Sequence, residues 1–112
     1  MGSIAMAVKI AAERSGISIG QILSNCRSAD IVRPRHCAMY AAWRAGKSLP
    51  VIGRAVGGRD HTSVLHAVRK VERAIAAGEE WTRLATDLEF FLTARALRFV
   101  RDVRGREWLV VA

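Results

Sequence analysis

"LPVIGRAVGGRDHTSVLHAVRKVERAIAA", residues 49–77, is the stretch whose reading decides the fold of this chain. Leu49 to Val56 is a short amphipathic segment with a proline at its start, where a missing N–H costs a helix nothing. Gly57 and Gly58 then break it. Asp60 stands ready to cap a longer helix from His61 to Ala77, since its carboxylate can accept from first-turn N–H groups that have no intrahelical partner. Two helices joined by a few glycine-containing residues form a helix-turn-helix.

The longer helix has two faces. At about 100° per residue, Val64, Val68, Val71 and Ile75 fall within an arc of about 60°, which is a buried stripe. Thr62, His66, Arg69 and Arg73 gather on the roughly opposite arc. A charged stripe of this kind is often only a solvated face. In a helix-turn-helix, however, the first residues of the second helix reach base edges in the major groove, and later ones lie nearer the phosphates. That layout turns the reading toward DNA.

The charge distribution agrees. Of the net +8, residues 27 to 73 supply ten lysines and arginines against Asp30, Asp60 and Glu72, whereas residues 74 to 112 balance six arginines with six acids. A focused basic field attracts polyanions, nucleic acid foremost among them. Apolar content of 51% and charged content of 25% fit one globular domain in a chain of 112 residues. No run of about 18 apolar residues offers a membrane span, and Met1 to Val8 lacks the layout of a secretory signal. A cytoplasmic, nucleoid-associated protein is expected. Cys26 and Cys37 are too far apart for a CxxC motif and read as reduced thiols packed as small apolar side chains.

Working outward, Ile4 to Arg14 reads as a first helix stopped near Gly16, and Ser18 as the cap of a short second one through Ile22 and Leu23. "NCRSADIV", residues 25–32, reads as a polar loop. Pro34 suits the first turn of a third helix, which runs through Met39, Tyr40 and Trp43 to about Gly46. After Gly78 another helix runs from near Glu79 through Trp81, Leu84, Leu88, Phe91 and Leu92. The tail "LRFVRDVRGREWLVVA", residues 97–112, is compatible with more helix or with a hairpin turning at Arg104 and Gly105. "EWLVVA" is β-prone, and an unpaired strand there is an association surface.

Three look-alikes fail on spacing. "AAWRAGKS", residues 41–48, ends like a phosphate-binding loop. Such a loop must follow a buried strand, and here the preceding residues are helical and the first glycine is Ala41. For a metal, His61 and His66 are five apart and point about 140° away from each other, while His36 and Cys37 are neighbours that diverge. For catalysis, Asp60 and His61 have no nucleophile or second carboxylate at a supporting spacing. No enzymatic activity, nucleotide, cofactor or metal is expected.

"RSADIVRPRHCAMYAA" (27–42) and "SLPVIGRAVGGRDHTSVLHAVRKVE" (48–72) together resemble the C-terminal DNA-binding domain family of the bacterial replication initiator DnaA. "GGRDHTSVLHA" is close to that family's signature, and the resemblance covers roughly residues 4 to 92. It implies an all-α domain of about six helices, TrpR-like in its helix-turn-helix, that binds a short asymmetric duplex site, the DnaA box. Carried over by position, it makes Asp60, His61 and Thr62 major-groove base readers. A carboxylate can accept from cytosine N4, imidazole can pair with base edges, and a threonine methyl can meet that of thymine. Arg27 corresponds to an arginine of the minor groove, and Pro50 to a proline that approaches the bases. Arg35, His36, Lys47, Leu49, Ser63, Arg69 and Lys70 stand at or near backbone-contacting positions. Arg59 belongs to the signature, with a role that is either structural or DNA-facing.

The departures are informative. The family's loop before the third helix usually carries consecutive cations, while "NCRSAD" has Arg27 and adds Asp30, which implies fewer phosphate contacts and weaker salt dependence. His36 stands where glutamine is usual. The full initiator carries an ATPase module ahead of this domain and none is present ahead of residue 4, so ATP-driven origin opening is not expected of this chain alone. The expected organisation is a DNA-binding domain over 4–96 and a C-terminal extension over 97–112 that is a candidate homodimer contact. The expected function is double-stranded DNA binding at DnaA-box-like sites that regulates replication initiation or transcription. The competing reading is a protein-interaction adaptor with a weakened helix-turn-helix, acting through its C-terminal helix and tail.

Overall fold

In a computed structural model, residues 3–94, 97–101, 104–105 and 107–111 are described. Six α-helices carry the domain: α1 (Ile4–Ser15), α2 (Ile19–Leu23), α3 (Ala29–Arg44), α4 (Leu49–Ala55), α5 (His61–Ala76) and α6 (Arg83–Ala94). A single 3-10 turn, Glu80–Thr82, leads into α6. The helical domain is therefore all-α, as its patterning predicts.

Side chains and glycines set most of the helix ends. Ser3 caps α1 by accepting from the Met6 N–H, and Gly16, at φ 68°, closes it in the left-handed conformation that a Cβ disfavours. Ser18 and Gln21 form a reciprocal capping box on α2. Ser48 caps α4, with Pro50 in its first turn.

α3 departs from expectation. It begins at Ala29, so Pro34 is an interior residue and the polar loop shrinks to the residues before Ser28. An interior proline forfeits one helical hydrogen bond and costs about 3 kcal/mol. The local chain prefers a break, but tertiary burial overrides it, because Ile31 and Pro34 are both buried on the face that α3 turns inward. Asp30 sits in the first turn, where the helix dipole favours a negative charge.

α3 is the hub against which α1, α2, α5 and α6 pack. The core is built from Ile22 of α2, Met39 of α3, Ile52 of α4, Val64, Val68 and Val71 of α5, and Leu88 of α6, all fully buried. Val56, also fully buried, closes α4 against them. The α5 stripe is as predicted, widened by the buried Ala67 and Ala74, with Ile75 half-buried. Of the two thiols, Cys37 is buried, and desolvation pushes it up to about 12, so it behaves as an apolar side chain. Cys26 corrects the expectation of packing, since it is exposed in the α2–α3 loop.

Two ion pairs among the described residues tie α6 to its neighbours: Arg14 with Asp87 at 2.9 Å and Arg44 with Glu89 at 3.1 Å. Beyond α6 the chain forms a hairpin, settling the two alternatives left open for the tail. β1 (Leu97–Arg101) and β2 (Glu107–Val111) pair antiparallel, with Leu97 opposite Val111 and Phe99 opposite Leu109. Gly105, at φ 80°, lies in the connection.

Candidate nucleic-acid interface

α4, the turn at Val56–Arg59 and α5 form the helix-turn-helix. Its tightness depends on two glycines. A Cβ at Gly53 would strike the Arg59 carbonyl, and the Arg59 N–H donates to the Gly53 carbonyl at 2.8 Å. Gly57 has φ 79°, and a Cβ there would run into the Leu23 carbonyl oxygen and the Arg59 guanidinium. The turn is thus pressed against the end of α2, not free in solvent.

Asp60 is the N-cap of α5, with Oδ1 accepting from the Ser63 N–H at 2.8 Å. This bond, with smaller help from the Thr62 N–H and the neighbouring His61, holds its carboxyl below the usual carboxylate range. The residue is fully exposed. A carboxylate has two oxygens, so capping through Oδ1 leaves Oδ2 available to a partner. His61, Thr62 and Ser63 are exposed beside it, forming a pre-ordered first turn.

The other expected site residues divide by position. Arg27, His36 and Lys70 come together along one cleft of about 640 Å³ between α3 and α5, which Arg33, Arg73 and Trp81 also line. A hollow of about 300 Å³ adjoins it, bordered by His36, Ser63 and Lys70 together with His66 and Arg73. Arg69 is exposed but borders a different hollow, with Glu72 and Arg73. Lys47 and Leu49 are half-buried and Pro50 is exposed at the start of α4, and none of the three lines either cleft.

Arg35 corrects its expectation. It is 5% exposed, and its guanidinium donates to the backbone carbonyls of Ile22 (2.6 Å), Ser24 (2.8 Å), Cys26 (3.0 Å) and Gln21 (3.4 Å). A fork so occupied holds the α2–α3 loop and is not free to meet a phosphate. Arg59 has an equally internal role, donating to the Val56 carbonyl at 2.6 Å and to the Ser24 carbonyl at 2.5 Å. Burial lowers the pKa of both guanidiniums, and for Arg35 the nearby Arg59 charge adds to it.

His36 is half-buried. Desolvation, then the charges of Lys70, Arg35 and Arg59, lower its pKa to about 4, so near neutral pH it offers the cleft a neutral imidazole.

His66, Arg73 and Arg33 are cleft residues that the site assignment from sequence left out. His66 and Arg73 follow Ser63 at helical spacings of three and ten, a signal present in the sequence. Arg33 had no such signal. It is held over the Trp81 ring at 5.4 Å, a contact between distant segments. The Trp81 Nε1 is buried without a hydrogen-bond partner among the described residues.

The look-alike motifs have plain positions. Ala41 to Arg44 is the last turn of α3, where a phosphate-binding loop requires a strand. Among the described residues, no three His, Cys, Asp or Glu side chains are grouped to hold a metal, and no helix is long and apolar enough to cross a membrane.

Comparison with known proteins bears on the same segment. Residues 4–71 match the family model "Bacterial dnaA protein helix-turn-helix". Over 82 residues, 72% of this chain, it is 50% identical to the chromosomal replication initiator protein DnaA of Brucella abortus. Over 69 residues, 61% of the chain, it is 51% identical to that of Rhodopseudomonas palustris (strain BisB18). These matches span 16% and 15% of the respective relatives, so what the chain shares with them is one module of a much longer protein. The residues matched run from α1 into α5 and take in α4, the turn and most of α5, and the chain belongs to the bacterial DnaA helix-turn-helix family.

Proposed function

We propose that this chain binds double-stranded DNA at sites of the DnaA-box type, and that by occupying them it regulates replication initiation or transcription without using ATP. The observation that carries this reading is the first turn of α5. Asp60, His61, Thr62 and Ser63 are all exposed there on a turn that is already capped, and a cation-lined cleft adjoins it. A helix N-terminus fixed before binding loses little conformational entropy when it enters a groove.

In this reading α5 enters the major groove with the free oxygen of Asp60, the His61 imidazole and the Thr62 methyl toward base edges. Arg27 enters the adjoining minor groove, and Pro50 approaches the bases from the start of α4. Ser63, Lys70, Arg69, Lys47 and the backbone around Leu49 meet phosphates, as does His36 through a neutral hydrogen bond. The DNA-binding unit is residues 4–96, with 97–112 as a separate extension.

Fluorescence anisotropy with box-containing and scrambled duplexes at one fixed salt concentration tests this. Tighter binding to the box supports the proposal, and equal affinity defeats the sequence-specific part. Lys70→Ala is expected to weaken binding to both duplexes and to reduce the slope of log K against log salt by about 0.9, the share of one phosphate contact.

A second reading has its own observation. Phe90 is 70% exposed on α6, and the hairpin that follows is, among the described residues, a sheet of two strands. An exposed aromatic and a two-stranded sheet with open edges fit a protein-protein contact, including a homodimer. Sizing the full chain against one ending at position 96 separates the two. An oligomer lost on truncation, with no DNA binding in either form, favours the adaptor.

A further inference from the structure

The two segments proposed to read DNA are far apart in sequence but are joined in the structure by one backbone carbonyl. Ser24 offers its oxygen to Arg35 from α3 at 2.8 Å and to Arg59 from the helix-turn-helix turn at 2.5 Å. Arg35 also grips the Cys26 carbonyl, and the next residue is Arg27. The residue after Arg59 is Asp60, the cap of the recognition turn. A hydrogen-bonded path therefore runs from the Cys26 carbonyl through Arg35 and the Ser24 carbonyl to Arg59, and its two ends are the chain neighbours of Arg27 and Asp60.

We infer that Arg59 is a positioning residue: with Arg35 it fixes the Arg27 loop against the first turn of α5, so that minor-groove and major-groove reading act as one unit. The inference rests on the DNA-binding reading above. Its chemistry favours arginine, because two separate nitrogens of one rigid planar fork reach two carbonyls, Nη1 to Val56 within the turn and Nη2 to Ser24 across to the loop, whereas the three N–H donors of a lysine all leave a single nitrogen on a flexible stem. The loop's other hydrogen bonds are local, from Ser24 back to the Gln21 carbonyl and from the Cys26 N–H to the Ser24 hydroxyl, and positions 25 to 28 are all exposed, so Arg35 and Arg59 supply its ties to α3 and to the helix-turn-helix turn. Gly57 shows how close the two segments run, for even a methyl group there would meet the Leu23 carbonyl.

The test is a double-mutant cycle on box affinity between Arg27→Ala and Arg59→Lys, with Arg69→Ala in place of Arg27→Ala as the control. Arg27→Ala is expected to cost about tenfold in the parent chain, the range of one lost base contact. In the Arg59→Lys chain, where Arg27 is no longer aimed, it should cost less than about threefold. Arg69→Ala should cost the same in both backgrounds, which shows the coupling to Arg59 to be specific to Arg27. An Arg27→Ala cost that is unchanged in the Arg59→Lys chain overturns the inference. So does loss of the helical circular dichroism in both Arg59→Lys and Arg59→Ala, because Arg59 would then hold the fold as a whole. A parent chain that binds box and scrambled duplexes equally refutes the DNA reading itself, and the inference falls with it.

Discussion

α5 and α6 are both amphipathic helices packed on α3, yet they treat charge in opposite ways. α6 turns Asp87 and Glu89 toward Arg14 of α1 and Arg44 of α3, so its polar groups are spent within the molecule. α5 carries Arg69, Lys70 and Arg73 exposed along its outer side, with Glu72 its single acid, and neither ion pair among the described residues involves it. Unpaired cations on one face repel each other and cost stability unless something else compensates. The difference fits α6 to holding the fold and supports the proposal that α5 meets a polyanion.

This division can be broken most forcefully from the α6 side. Leu88→Ala removes a fully buried side chain and should lower unfolding free energy by about 2–5 kcal/mol, read by urea denaturation. Box affinity per folded molecule should not change. If affinity falls more than stability explains, α6 is doing more than holding.

The mirror experiment lies on α5. His61→Ala or Thr62→Ala should cost about 1–3 kcal/mol of box affinity and narrow the gap between box and scrambled duplexes, with almost no change in melting temperature, because both side chains are exposed. A large drop in melting temperature would show the first turn to be structural after all.

His36 sits where the two regions meet. Its folded pKa of about 4 lies below the ordinary 6.5, so between those values the unfolded chain takes up a proton that the folded one refuses. The stability present above about pH 6.5 should therefore be lost as pH falls toward 4, by on the order of 1 kcal/mol once partial solvent exposure is discounted. His36→Gln should flatten that part of the profile of melting temperature against pH. An unchanged profile would mean that other groups carry the acid sensitivity.

The smallest effect belongs to the surface pairs. Asp87→Asn breaks the contact with Arg14 between two half-exposed side chains, worth about 0.2–1 kcal/mol, and should leave DNA affinity untouched. A measurable gain in affinity would instead show that Arg14 also contributes to the basic field.

Much of this was legible in the residues. The valine stripe of α5, the glycines of the turn and the cap at Asp60 are local patterns, and local patterns survive being read one window at a time. The same window logic misplaced the start of α3. Pro34 looks like a first-turn residue until Ile31 and Pro34 are seen buried against the rest of the domain. The tail kept two readings because its β-prone residues needed a partner strand to decide them, and β1 supplies it.

Sequence alone determined that this chain is a basic helix-turn-helix protein and which residues begin the second helix of that motif. Only the tertiary structure decided which arginines face outward. Arg27 and Arg35 belong to the same short stretch, residues 27–42, and have the same chemistry, but one is exposed and the other is buried among four carbonyls. Those acceptors come from residues 21 to 26, nine to fourteen positions back along the chain. A guanidinium is buried only where enough acceptors converge to replace water. That convergence belongs to the folded backbone and is not visible in any single stretch of sequence.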